Sequence, residues 1–191
     1  MKILTVPNPK LRITAQPVTK LDKKVFKFIV DLEKQLKKQD NPKGIGLAAT
    51  QVGKPLRIFA TQLANRDRTE YQPLCLFINP EIIKHSSKKS LGITEDEPDL
   101  EGCLSIPRLY GPVPRWTWVE LKYDVIKDGK LESKTEKFED FNARVIQHER
   151  DHLDGILFTD YILEYDLPIY KENEETKKLE ELKDRSVLEI F

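Results

Sequence analysis

The chain has 191 residues, and its 32 lysines and arginines are cancelled by 32 aspartates and glutamates. That balance excludes a global field for gathering nucleic acid or an anionic membrane, so recognition has to come from a local site. The length suits one domain over residues 1–191, and with neither a secretory signal nor a membrane-length apolar run, a cytoplasmic protein is expected.

From Asp22 to Gln39, Val25, Phe28, Ile29, Leu32 and Leu36 recur at helical spacing among charged residues, which predicts an amphipathic surface helix ended by NPKG. GIGLAATQVG (44–53) is rich in glycine and small residues and reads as a loop. PLRIFATQL and LCLFINPEII read as strands from their β-branched and aromatic content. The polar run over 84–99 is expected to be a surface insertion without chemistry, with His85 a solvated residue inside it. In WVELKYDV, Val119, Leu121, Tyr123 and Val125 alternate with Glu120, Lys122 and Asp124, which predicts a half-buried strand; KDGK then supplies a hairpin turn and LESKTEKFED the return. DFNARVIQHERDHLDG predicts a helix with Asp140 as N-cap, Phe141, Val145, His148 and His152 on one stripe, and Gly155 as the stop. Beyond about residue 165 the chain becomes a charged extension, with a helix expected over EETKKLEELKD before an apolar ending, VLEIF.

The chemistry concentrates in two stretches, EGCLSIP (101–107) and QHERDH (147–152). On a helix, His148 and His152 lie one turn apart and within reach of one ion, and Glu149 projects beside them. Neutral imidazoles suit a divalent transition metal, and a carboxylate next to an open coordination position suits a general base acting on water. The same pattern also arises by chance on polar helices. A catalytic site needs a third protein ligand, for which Cys103 is the best candidate; the alternative for a free cysteine is a small buried hydrophobe. That alternative is the expected one for Cys75, inside PLCLFI. A lone disulfide between the two does not suit a reducing compartment.

With GIGLAATQ, EGCLSIP and QHERDHLDG in that order, the chain resembles the bacterial, metal-dependent peptide deformylases, from near its N-terminus to about Tyr161. The resemblance implies an α+β fold in which antiparallel sheets pack around a central helix carrying HExxH, with an N-terminal amphipathic helix and a variable C-terminal tail. It implies that Cys103, His148 and His152 hold one divalent metal ion per chain, Fe(2+) in the cell, with Zn(2+), Ni(2+) or Co(2+) as substitutes. Glu149 would be the acid and base, and the Gln51 side chain with the backbone N–H of Leu104 would receive the oxyanion. Ile45, Gly46 and Gly102 would hydrogen-bond an extended substrate peptide, and Phe141 and Arg144 would line a pocket for the methionine side chain, Arg144 through its aliphatic stem; a plain surface arginine is the alternative there. The substrates implied are N-formylmethionyl nascent peptides, yielding formate and a free N-terminal methionine, with the ribosome a further partner and neither nucleic acid nor membrane expected. Tyr110 departs from the arginine that some enterobacterial relatives carry near the substrate entrance. Glu101, a motif acid without an evident chemical role, is expected to pair with Arg115.

Two rival readings use the same residues. A zincin-type metallopeptidase would need a further ligand downstream of His152, and a non-catalytic, metal-stabilised binding module would close the site with a fourth protein ligand.

Overall fold

The computed structural model of the protein describes residues 1–40, 43–65, 68–92 and 97–190. The first amphipathic pattern forms helix α1, Lys23–Lys37, capped by Asp22, whose carboxylate accepts from the backbone N–H groups of Lys24 and Val25. Its buried face is Phe28, Ile29, Leu32 and Leu36. The expected stop lies partly outside the described residues, at Asn41 and Pro42.

The small-residue segment that follows is only partly a loop. Strand β1, Gly46–Ala48, leads into a 3-10 turn over Ala49–Val52, and Gly53, with φ 76°, closes that turn in the left-handed region. Strands β2 (Ile58–Thr61) and β3 (Cys75–His85) follow. The insertion contributes β4 (Lys89–Ser90), and then come β5 (Leu100–Cys103), β6 (Ile106–Pro112) and β7 (Arg115–Trp116). The alternating segment forms β8 (Trp118–Lys127), and its return strand is β9 (Lys130–Glu139). The tight turn between them puts Asp128 and Gly129 at φ 50° and 73°, as a two-residue hairpin loop requires. Helices α2 (Asp140–Leu153) and α3 (Phe158–Glu164) precede the last strands, β10 (Tyr170–Glu172) and β11 (Leu179–Glu181). Among the described residues no helix is long and apolar enough to cross a membrane.

Five strands form an antiparallel sheet in the order β1-β2-β3-β8-β9. Alternation along its strands divides the core into two faces. Leu47, Ile58, Ala60 and Ile78 pack with the Leu32 and Leu36 face of α1, while Ala48, Phe59, Phe77, Val119 and Leu121 pack with Ala143, Ile146 and Leu153 of α2. Phe77 anchors the α2 side, with ring centroids 4.8 Å from Phe59, 4.7 Å from Tyr123 and 5.7 Å from Phe138. The fold is thus α+β, and the small side chains of β1 let it pass closely between two helices, which their sequence alone does not announce as a strand.

A second sheet runs β11-β10-β6-β5. A third cluster lies under it, joining Leu11, Ile106, Leu109, Phe158, Ile162 and Leu188. The charged tail forms no helix over EETKKLEELKD: Asn173 Oδ1 accepts from the N–H groups of Glu175 and Thr176 and turns the chain back, so that β11 returns along β10. The physical reason is that charge pairs at helical spacing add only about 0.2–0.5 kcal/mol each and an isolated short helix is marginal in water, whereas β6 offers open backbone partners.

Three smaller expectations change. Asp140 does not cap α2; the capping position is Glu139, without a side-chain bond, and Asp140 itself sits at φ 52° with its N–H bonded to Thr117 O at 2.8 Å. Cys75 is half-buried at the margin of the α2-side cluster rather than within it. The insertion lies at the surface with His85 exposed, as expected, but it is tied down where it is described: β4 pairs with β7, and the His85 ring stacks on Trp116 at 3.8 Å; Ile93, Thr94, Glu95 and Asp96 lie outside the described residues.

Candidate active site

Helix α2 holds both histidines one turn apart, with ring centroids 4.9 Å apart and nearly perpendicular. The β5–β6 hairpin brings Cys103 to them, and one ligand atom each from Cys103, His148 and His152 lie within 4.8 Å of one another. Cys103 Sγ is 3.2 Å from His152 Nε2. Ligands around a tetrahedral ion are spaced by about 3.5 Å, so these three residues are close enough to hold one divalent transition metal ion.

His148 is oriented from behind. Its Nδ1 is 3.0 Å from Glu101 Oε2, and since an ionised carboxylate only accepts, Nδ1 carries the proton and Nε2 is left for the ligand position. Glu101 is buried and doubly engaged by Arg115, whose Nε and Nη2 both lie 2.9 Å from its oxygens, as the sequence led us to expect. Arg144 Nη1 adds a third bond at 3.0 Å. Burial alone would raise the Glu101 carboxyl, but the Arg115 guanidinium and then His148 outweigh it and hold the group well below the usual carboxylate range. Arg115 extends the network by pairing with Asp151, which also accepts from the Tyr161 hydroxyl at 3.0 Å, and the guanidinium lies 4.8 Å from the Tyr161 ring centroid.

The residues singled out from sequence converge on one cavity of about 460 Å³. Ile45 and Gly46 line it together with Gly102, Cys103 and Leu104, with Phe141, Arg144, His148 and Glu149 from α2, and with Gln51; His152 is 1% exposed and does not itself line the cavity. Gln51 has a defined orientation. Its Oε1 accepts from Ala48 N–H at 2.8 Å, so its amide N–H groups face Ser105 Oγ at 3.1 Å and Cys103 Sγ at 3.4 Å. Glu149 is 3% exposed, and burial pushes its carboxyl up to about 7. A Cβ at Gly46 would fall 2.2 Å from Glu149 Oε1, so only glycine lets the strand pass so close to this carboxylate.

Arg144 is not a surface arginine. It is 7% exposed, and besides Glu101 its guanidinium donates to Val113 O at 2.7 Å and Ser90 O at 3.1 Å. Sequence reasoning did not identify Asp151 or Tyr161 as parts of the site. Asp151 lies inside HERDH, one turn after His148, and that spacing was the available signal; Tyr161 had none.

This arrangement joins a cysteine sulfur, two imidazoles, a buried carboxylate of raised pKa and an oriented amide, the groups that metal-assisted hydrolysis of an amide requires. The family model for polypeptide deformylase matches residues 1–166. The chain is 39% identical to the peptide deformylase of Bradyrhizobium diazoefficiens over 164 residues, 84% of this chain and 86% of that one. It is 40% identical to that of Mesorhizobium japonicum over 160 residues, 84% and 82% of the two chains. In structure it is similar to the class I type b peptide deformylase of Acinetobacter baumannii solved with Met-Ala-Ser bound, with TM-score 0.71, 28% identity, and 85% of this chain and 98% of that one covered. With the three motifs meeting at one cavity and the match covering the five-stranded sheet and the β5–β6 half of the second, the chain belongs to the polypeptide deformylase family.

Proposed function

We propose that the chain is a metal-dependent hydrolase that removes the formyl group from the N-terminal formylmethionine of new polypeptides. The observation that carries this reading is the meeting of Cys103, His148 and His152 within 4.8 Å at a cavity that also holds buried Glu149, in a member of this family. When bound by those three ligands, an ion such as ferrous iron supplies Lewis acidity and makes water a nucleophile near neutral pH.

The protein's own groups do the rest. Glu149 takes the proton of the attacking water and returns it to the departing amine as the formyl C–N bond breaks, leaving formate and a free N-terminal methionine. A buried carboxylate beside the ligand residues is placed for both halves of that transfer. Gln51 Nε2, aimed by the Ala48 contact, and the Leu104 backbone N–H stabilise the oxygen that becomes negative as water adds. Ile45, Gly46 and Gly102 hold the peptide backbone as an added strand, and Phe141 takes the methionine side chain. Glu101 and Arg115 are positioning residues that fix the His148 ring.

The rivals lack support in the ligand set. Among the described residues, the group able to hold an ion contains no acidic ligand from the tail, as a zincin-type metallopeptidase needs, and no fourth protein ligand, as a structural module needs. The deciding assay is formate release from formyl-Met-Ala-Ser by anaerobically purified, iron-loaded protein. Absence of turnover with full metal content would refute the reading.

A further inference from the structure

The second sheet continues past the family match. Residues 1–166 carry that match, and β10 and β11 lie beyond it. Tyr170 of β10 stands opposite Tyr110 of β6, and Tyr110 stands opposite Gly102 of β5. Opposed residues of antiparallel strands share a face, as do residues two apart on one strand, so Gly102, Tyr110 and Glu172 share one face. All three line the cavity. The Tyr110 ring covers Gly102, since a Cβ there would fall 2.6 Å from its Cε1. Burial first, and then the charge of Glu172, push the Tyr110 hydroxyl up, which puts the Glu172 carboxylate in electrical reach of the same ring.

The charges around this rim are unequally satisfied. Glu101 is saturated by two arginines and His148, and Asp99 is joined to Arg68 at 2.8 Å. Arg108, the cation of β6 at the cavity, is turned to Glu174 of the tail hairpin. Among the described residues Glu172 is paired with Lys177 Nζ alone, at 3.9 Å, on a side chain that is 69% exposed. The hairpin therefore neutralises a cation at the rim and presents a carboxylate there.

Resting on the deformylase reading, we propose that Glu172 reads the formylated peptide beyond its methionine and favours a lysine or arginine there, making the C-terminal hairpin a specificity element. Glu172 stands two strands from Gly102 and two residues further along, about 12 Å away, so a long cationic side chain reaching back over β6 can approach it and a short one cannot. Because the Glu172 side chain is partly exposed to solvent, the preference is modest and dependent on salt.

The test compares kcat/KM for formyl-Met peptides carrying Lys or Glu at the second or third residue, using the iron-loaded full chain, and binding of the corresponding unformylated peptides by calorimetry. At low ionic strength Lys peptides should exceed Glu peptides by about fivefold, through KM, and the ratio should shrink toward one in high salt. Glu172→Gln should bring the ratio toward one and Glu172→Lys should invert it; because the ratio is taken within each variant, a loss of folded protein does not imitate the effect. Equal values for Lys and Glu peptides in the native chain, or a ratio that Glu172→Gln leaves intact, would overturn the proposal while the deformylase reading stands. No turnover of formyl-Met-Ala-Ser would overturn both.

Discussion

Gly46→Ala tests how closely the strand and the catalytic carboxylate are fitted. The added methyl would start 2.2 Å from Glu149 Oε1, 2.5 Å from its Cδ and 2.7 Å from its Cγ, against an ordinary contact of about 3.5 Å. The side chain of Glu149 must therefore move by about 1 Å. The backbone has less reason to respond, because Gly46 lies in β1 without a positive φ, and alanine in such a strand gains about 0.4–1 kcal/mol from the unfolded state. A displacement of that size at a proton-transferring group costs about a hundredfold in kcat. The expected result is a protein with unchanged metal content, stability in urea lowered by about 1–3 kcal/mol through overpacking at the buried carboxylate, and kcat on formyl-Met-Ala-Ser lowered about a hundredfold. Retention of full kcat would refute the placement of Glu149 against β1 as the arrangement that does the chemistry. Loss of metal with loss of activity would refute the claim that the perturbation stays on the carboxylate.

Glu149→Gln keeps the side chain's shape and should leave folding and metal content nearly intact while turnover falls by at least about a hundredfold, read by formate release; loss of the ion would make Glu149 a ligand instead. Cys103→Ser replaces a thiolate with a far poorer ligand, and metal content measured after dialysis should fall sharply, full content and activity being the contrary result. Arg115→Met strands Glu101 and Asp151, both buried, and should destabilise the chain by about 3–5 kcal/mol in urea unfolding; a change under 1 kcal/mol would mean that Arg144 and Tyr161 satisfy them unaided.

Local periodicity was a reliable guide where packing follows it. α1, the β8–β9 hairpin and α2 were all legible because their apolar residues recur at the spacing of the face they bury. The motif residues were legible for the same reason: His148 and His152 need only a helix to meet, and Cys103 enters as the missing donor. β1 was not, because Gly46, Leu47 and Ala48 have no β-branched side chain and owe their strand to the narrow space between two helices. The tail was misread because its lysines and glutamates fit a helix as well as a hairpin, and the open edge of β6, remote in sequence, decides between them. Arg144 and Tyr161 were missed as network members because their partners, Glu101 and Asp151, are assigned by tertiary approach rather than by spacing along one element.

The chain of contacts from His148 through Glu101, Arg115 and Asp151 to Tyr161 ties α2 to β5, β7 and α3 without passing through the ligand position. A small zinc module whose fold is held by its ion spends most of its metal affinity on ordering the polypeptide. Here ion pairs and packing tie the same elements together independently of the ligand position. A scaffold cross-tied in this way should keep its fold when the ion is removed by a chelator, unlike a domain whose folding depends on its metal.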